Sequence, residues 1–169
     1  MPRYDVPKAA PEPLRLVQRF VNTVDHEHHR EWIGTAAELA EFLGCDEAEA
    51  DVERAHELRE ALRTLLRANN GAPLDADALG AVNRAAAGIR LELDDGGRLV
   101  IGAEDPLANV VAVAFEAMLA GNWHRLKACR NCKWAFYDYS KNRSASWCSM
   151  QLCGNRLKTR AYRSRRASV

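Results

Sequence analysis

Four cysteines near the end of the chain, Cys129, Cys132, Cys148 and Cys153, constrain its fold more than any other feature. Two residues separate the first pair, four separate the second, and fifteen lie between the pairs. A C-x2-C pair makes a tight turn that aims two thiolates at one centre. The second pair converges on the same centre if a helix begins between its members. Four thiolates around one ion leave no open position, the pattern of a structural site holding one Zn2+ per chain. A disulfide pair, four unrelated buried thiols and an iron–sulfur cluster with the same ligand type are the alternatives. The N-terminus, MPRYDVPKAAPEPLRL, has no apolar core followed by a small-residue cleavage site. The chain is therefore expected in a reducing cytoplasm, where clustered thiols serve metals more often than disulfides. No stretch approaches the roughly 18 apolar residues of a membrane span.

Charge divides the chain in two. Its net formal charge is +1, yet residues 125–169 carry twelve Lys and Arg against one acid, Asp138, for +11. Residues 1–124 carry twelve basic and twenty-two acidic residues, for −10. The basic end suits a polyanion and the acidic end does not.

Residues 1–13 form a Pro-containing lead expected to be poorly ordered. Leu14, Val17, Val21 and Val24 at helical spacing predict a first amphipathic helix. Thr35 and Glu38 form a capping-box pattern ahead of AAELAEFL, which Gly44 closes. Asp46 is expected to cap a long helix ending near Asn69, and Asp75 another. Ile89, Leu91 and Leu93 then alternate with Arg90 and Glu92, and Asp94-Asp95-Gly96-Gly97 turns the chain toward Leu99 and Ile101, a β-hairpin signal. Asp105 and Pro106 open a helix that is apolar nearly all round and therefore expected at the centre of the core. The fold class is mainly α (α+β): a helical domain over 14–124 with one β-hairpin, then a cysteine module over 125–169. In that module Lys141-Asn142 offers a turn, Ser144 to Trp147 is expected to return as a strand, and Ser149 to start a helix. A knuckle, a hairpin and a helix carrying ligands at its start describe a treble-clef-like finger.

Cys129-X2-Cys132, Trp134, Phe136-X-Asp138-X-Ser140, Trp147-Cys148-Ser149-Met150 and Cys153-Gly154-Asn155-Arg156-X-Lys158 resemble the CGNR zinc-finger family. Phe20-Val21-Asn22-Thr23-Val24-Asp25 resembles the N-terminal signature of the ABATE domain that accompanies this finger. The resemblance implies a bacterial, stress-induced transcription regulator whose zinc-dependent end binds DNA.

Arg156, Arg160 and Arg163 fall on one stripe of a helix, flanked by Lys158, Arg165 and Arg166, with Lys141 and Arg143 at the hairpin tip. Such cations supply phosphate contacts, whereas base edges supply sequence information. Asn155 and Arg156 either reach bases or brace the metal site. Asn22 and Asp25 are candidates to line a ligand pocket or to cap a helix. The His26, His28 and His29 cluster lacks the HExxH spacing of a metalloenzyme and reads as surface. Cys45 reads as a small buried hydrophobe. With no nucleotide loop or nucleophile elbow, the chain is expected not to be an enzyme. The expected partner is double-stranded DNA, with a small-molecule or protein signal, or homodimer assembly, at the front half. The alternative is a zinc-stabilised protein-interaction module that does not touch DNA.

Overall fold

The computed structural model describes residues 8–155 and Thr159. Helix α1 spans Arg15–Val21 and buries Val17, Phe20 and Val21 completely. It stops there rather than continuing to Asp25, because Thr23 Oγ1 donates to the Phe20 carbonyl at 2.8 Å and draws the chain away from helical geometry. A two-residue ladder follows, β1 (Val24–Asp25) antiparallel to β2 (Arg30–Glu31), which the sequence pattern is too short to announce. Asp25 closes the turn between them by accepting from the Glu27 and His28 amides.

Helix α2 (Ala36–Leu43) carries the expected capping box between Thr35 and Glu38 and ends at Gly44 with φ 71°. Asp46 caps nothing. It leads a single 3-10 turn, Glu47–Glu49, and the cap of α3 (Val52–Ala68) is Asp51, which accepts from the Arg54 amide. Asp75 caps α4 (Ala76–Ala85) through the Ala78 amide. The hairpin of β3 (Ile89–Leu93) and β4 (Leu99–Ala103) has the expected turn, with Leu93 opposite Leu99 and Leu91 opposite Ile101. Asp105 accepts from two amides at the start of α5 (Pro106–Leu119), where Pro106 needs no hydrogen bond. Helix α5 packs against α1, α4 and the β3–β4 hairpin, with Val110 and Val111 fully buried, so its all-round apolar surface places it in the centre.

The last ladder reorganises the expected cysteine module. Strand β5 (Leu126–Ala128) pairs antiparallel with β6 (Ala135–Tyr137), so the C-x2-C turn itself joins the two strands. Residues 144–147 form no strand. Alternation along this hairpin makes two cores at once. Leu126, Ala128, Ala135 and Tyr137 join the helical core, while Trp134 and Phe136 face Cys129 and Cys153 in a second cluster. A strand with both faces buried this way serves both halves of the chain, and the expected division near residue 124 falls just ahead of a strand whose Leu126 and Ala128 belong to the helical core.

Buried polar side chains complete the junction. Asn22 Nδ2 donates to the Ala135 carbonyl at 2.9 Å, and the Ala135 amide donates back to Asn22 Oδ1 at 2.7 Å. Gln18 Nε2 adds a second bond to the same carbonyl at 3.1 Å. From α3, Arg63 donates to the Val21 and Lys133 carbonyls, and Arg59 grips Glu31 with two bonds of 2.7 Å. Asn70, just past α3, donates to the Ala128 and Ser146 carbonyls. Among the described residues no helix is long and apolar enough to cross a membrane.

Asn22→Ala leaves the buried Ala135 amide without its acceptor, which costs about 1–3 kcal/mol. Urea unfolding followed separately by far-ultraviolet dichroism and by tryptophan emission should show both signals lose that stability together. A midpoint equal to the parent's would show that the clamp contributes nothing.

Candidate metal centre

The four cysteines are positioned by three different local structures. Cys129 ends the β5 side of the hairpin, its amide donating to the Trp134 carbonyl at 2.8 Å, and the Lys133 amide closes the turn on the Cys129 carbonyl at 3.0 Å. Lys133 takes φ 64°, the left-handed conformation that lets the chain reverse after Cys132. Cys148 lies in the irregular segment after the 138–145 loop. Ser149 caps a single π-helical turn, Met150–Gly154, by accepting from the Leu152 amide, and Cys153 sits inside that turn. The residue after it, Gly154, sits close under the Met150 and Trp147 side chains. A Cβ on Gly154 would lie 2.9 Å from Met150 Sδ and 3.3 Å from Trp147 Cδ1.

All four Sγ atoms lie within 4.8 Å of one another, with Cys132–Cys148 at 3.6 Å, Cys148–Cys153 at 3.7 Å and Cys153–Cys132 at 3.5 Å. Zn–S bonds of about 2.3 Å in a tetrahedron put sulfurs about 3.8 Å apart, so this set fits one ion. It does not fit disulfides, whose sulfurs are about 2.05 Å apart. An iron–sulfur cluster spreads its thiolates over two or more irons and so holds them farther apart than one tetrahedron's edge. The electrostatics agree. Hydrogen bonds from Cys132 and Cys148 hold the Cys129 thiol down, while contact with Cys129 pushes Cys132 and Cys148 up, so four thiolates coexist only around a cation. Cys129 and Cys153 are buried, Cys132 and Cys148 half-buried, and Trp134, Phe136 and Trp147 pack about them. Asn131 Nδ2 points at Cys153 Sγ at 3.5 Å. In the sequence the signal for this amide is its place inside the C-x2-C pair. Asn155, by contrast, is exposed at the end of the π turn. Cys45 is half-buried and outside the cluster.

The acid of the basic end is turned inward. Asp138 is fully buried, and Lys127 Nζ donates to its Oδ2 at 2.8 Å. Burial alone would raise its pKa, but the hydrogen bonds from Lys127 and Ser140 prevail and hold it at about 2. Both partners also bind backbone. Asp138 accepts from the Ser140 and Ala145 amides, and Lys127 donates to the Arg143 and Ala145 carbonyls. The ion pair thereby shapes the 138–145 loop, at whose tip Lys141 and Arg143 are exposed. Of the other basic residues here, Arg125 donates to the Asp138 and Ser140 carbonyls and Arg130 to that of Asn70. Arg156, Lys158, Arg160, Arg163, Arg165 and Arg166 lie outside the described residues.

Asn22 and Asp25 do not share a helical edge, since α1 ends before them. The Asn22 amide is engaged with Ala135, and Asp25 holds its own turn and the His28 ring at 2.8 Å. His26 faces Glu60 at 3.4 Å.

Two family models match the chain. Residues 14–122 match ABATE, described as "Putative stress-induced transcription regulator", and residues 125–166 match the CGNR zinc finger. No curated protein matches the chain.

Cys148→Ser should abolish metal binding, read as zinc per chain by elemental analysis, whereas Cys45→Ser should leave it unchanged. Loss of metal in the second variant or its retention in the first would refute the assignment. Asp138→Asn strands Lys127 without its counter-charge and should cost about 3–5 kcal/mol. Because the Asp138 pKa is depressed on folding, its contribution is complete above the unfolded value near 4 and disappears as pH falls toward 2. The stability difference between parent and Asp138→Asn, measured by urea unfolding at neutral pH and again as pH falls from about 4 toward 2, tests this, and a difference that does not shrink in acid would refute it.

Proposed function

Because the chain belongs to the ABATE family and ends in a CGNR zinc finger, we propose that it is a zinc-dependent DNA-binding regulator of transcription. In this reading the ion is a single structural Zn2+ held by Cys129, Cys132, Cys148 and Cys153. The knuckle, hairpin and following turn are read as a treble-clef-like finger. The ion has no open position, so it stabilises a surface and performs no chemistry. The protein acts by binding and not as an enzyme, in a bacterial cytoplasm, and the acidic helical half serves sensing or assembly.

The observation that carries the DNA reading is the direction of charge. Asp138 is buried against Lys127, and every exposed formal charge in 125–155 is positive. Arg156, Lys158, Arg160, Arg163, Arg165 and Arg166 extend the same sign through the rest of the sequence. A polyanion meets no exposed carboxylate side chain on this end of the chain.

Fluorescence anisotropy of a labelled random-sequence duplex, titrated with full-length zinc-loaded protein, tests the proposal. If about six phosphates are neutralised, log K falls against log salt with a slope near −5. Lys141→Ala and Arg160→Ala should each weaken binding to all sequences alike and make the slope shallower by about one. A chelator should remove the binding. Zinc-loaded protein with no affinity at low salt would sink the nucleic-acid reading and move protein docking ahead.

A further inference from the structure

Where α3 ends against the metal knuckle, a cleft of about 250 Å³ opens between the helical half and the finger. Its lining includes the cations Arg67 from α3 and Arg130 and Lys133 from the knuckle, together with the metal-site residue Cys129, and no carboxylate. On α3, Arg67 differs from the other arginines of its helix. Arg54, Arg59, Arg63, Arg84 and Arg90 each pair with a carboxylate, whereas Arg67, Arg130 and Lys133 form no ion pair among the described residues. Arg67 is notable because it belongs to the half whose balance is −10.

The cleft is also held in shape. Arg130 donates through Nε and Nη2 to the Asn70 carbonyl, at 3.0 and 2.6 Å, which fixes the plane of its guanidinium. Beside it Gly71 takes φ 91°, and a Cβ there would lie 2.9 Å from Arg130 Nη2, so only glycine leaves room for this approach. Lys133, in the left-handed conformation, turns the chain within the same knuckle. A filled site of four thiolates and one divalent ion carries a charge of −2 close by. The three cations outweigh it and leave the cleft positive.

We propose that this cleft binds a phosphate group, carried by the backbone of the same nucleic acid that the finger engages. The inference rests on the DNA-binding reading and extends it: the acidic half contributes Arg67 to the contact, so the bound strand crosses the junction between the two halves. A guanidinium from α3 and an ammonium from the knuckle, with a second guanidinium already oriented, match a tetrahedral dianion or a phosphodiester. Sequence information does not enter here, since phosphate contacts set register and not base preference.

The test uses full-length zinc-loaded protein with Arg67→Ala and with Lys133→Gly, which removes the charge while suiting the left-handed backbone. Arg84→Ala removes an equal charge from α4 and is the control. With a random-sequence duplex, Arg67→Ala and Lys133→Gly should each bind several-fold more weakly and lower the salt slope by about 0.9, leaving zinc content and melting temperature unchanged. The control should lose less. If the parent binds DNA and both variants match it in affinity and slope, the cleft takes no phosphate and this inference fails while the DNA reading stands. If the parent does not bind DNA, the DNA reading fails and inorganic phosphate at constant ionic strength decides the cleft. A rise in melting temperature that Arg67→Ala abolishes keeps it as a site for a free phosphate ligand, and no rise overturns it.

Discussion

The peptide of Ala135 joins what would otherwise be two separate bodies. Its amide and carbonyl are both paired with the Asn22 side chain, and Gln18 takes a second position on the carbonyl. An asparagine can do this because its amide presents one donor and one acceptor side by side, imitating the edge of another strand. The two-stranded β5–β6 hairpin is too small to be stable in water by itself. On one side it takes an edge contact and an apolar face from α1 and α3; on the other it takes the metal cluster. Arg63 and Asn70 add bonds from α3 and its end to the Lys133, Ala128 and Ser146 carbonyls. Metal binding and folding of the helical half are therefore linked through one hairpin rather than through a hinge.

The second organising element is the buried pair of Lys127 and Asp138. A buried ion pair is weak as a source of net stability, because desolvation offsets much of the attraction. Its value here lies in what it orders: four backbone bonds from the two side chains hold the 138–145 loop in one shape. It also removes the finger's acid from the surface. The same two facts give the loop a defined tip and an unopposed positive sign, which a phosphate-binding surface requires.

Several features were readable without coordinates because they depend on neighbours in sequence. The capping box of Thr35 and Glu38, the caps at Asp75 and Asp105, the Asp-Asp-Gly-Gly turn and the C-x2-C pair all act within a few residues. Misreadings arose where two local solutions competed. Asp46 and Asp51 both suit an N-cap, and the side-chain bond from Asp51 to the Arg54 amide settled the start of α3. Residues 144–147 alternate no less well than many strands, yet β6 had already found β5 across the knuckle. A pairing partner is a nonlocal choice that periodicity does not encode.

The sequence by itself determined the candidate set of four cysteines, the charge division, the order of helices and the central place of α5, since spacing, composition and all-round apolarity carry these. Tertiary structure alone decided the use of Asn22, Thr23, Asp25, Arg59, Arg63 and Asp138. In sequence each is a polar residue that surface exposure would explain, and each is buried because a partner far along the chain satisfies it or because a turn closes on it. The physical reason is the cost of burying an unpaired polar group. That cost makes such a residue informative once its partner is seen, and it names no partner beforehand.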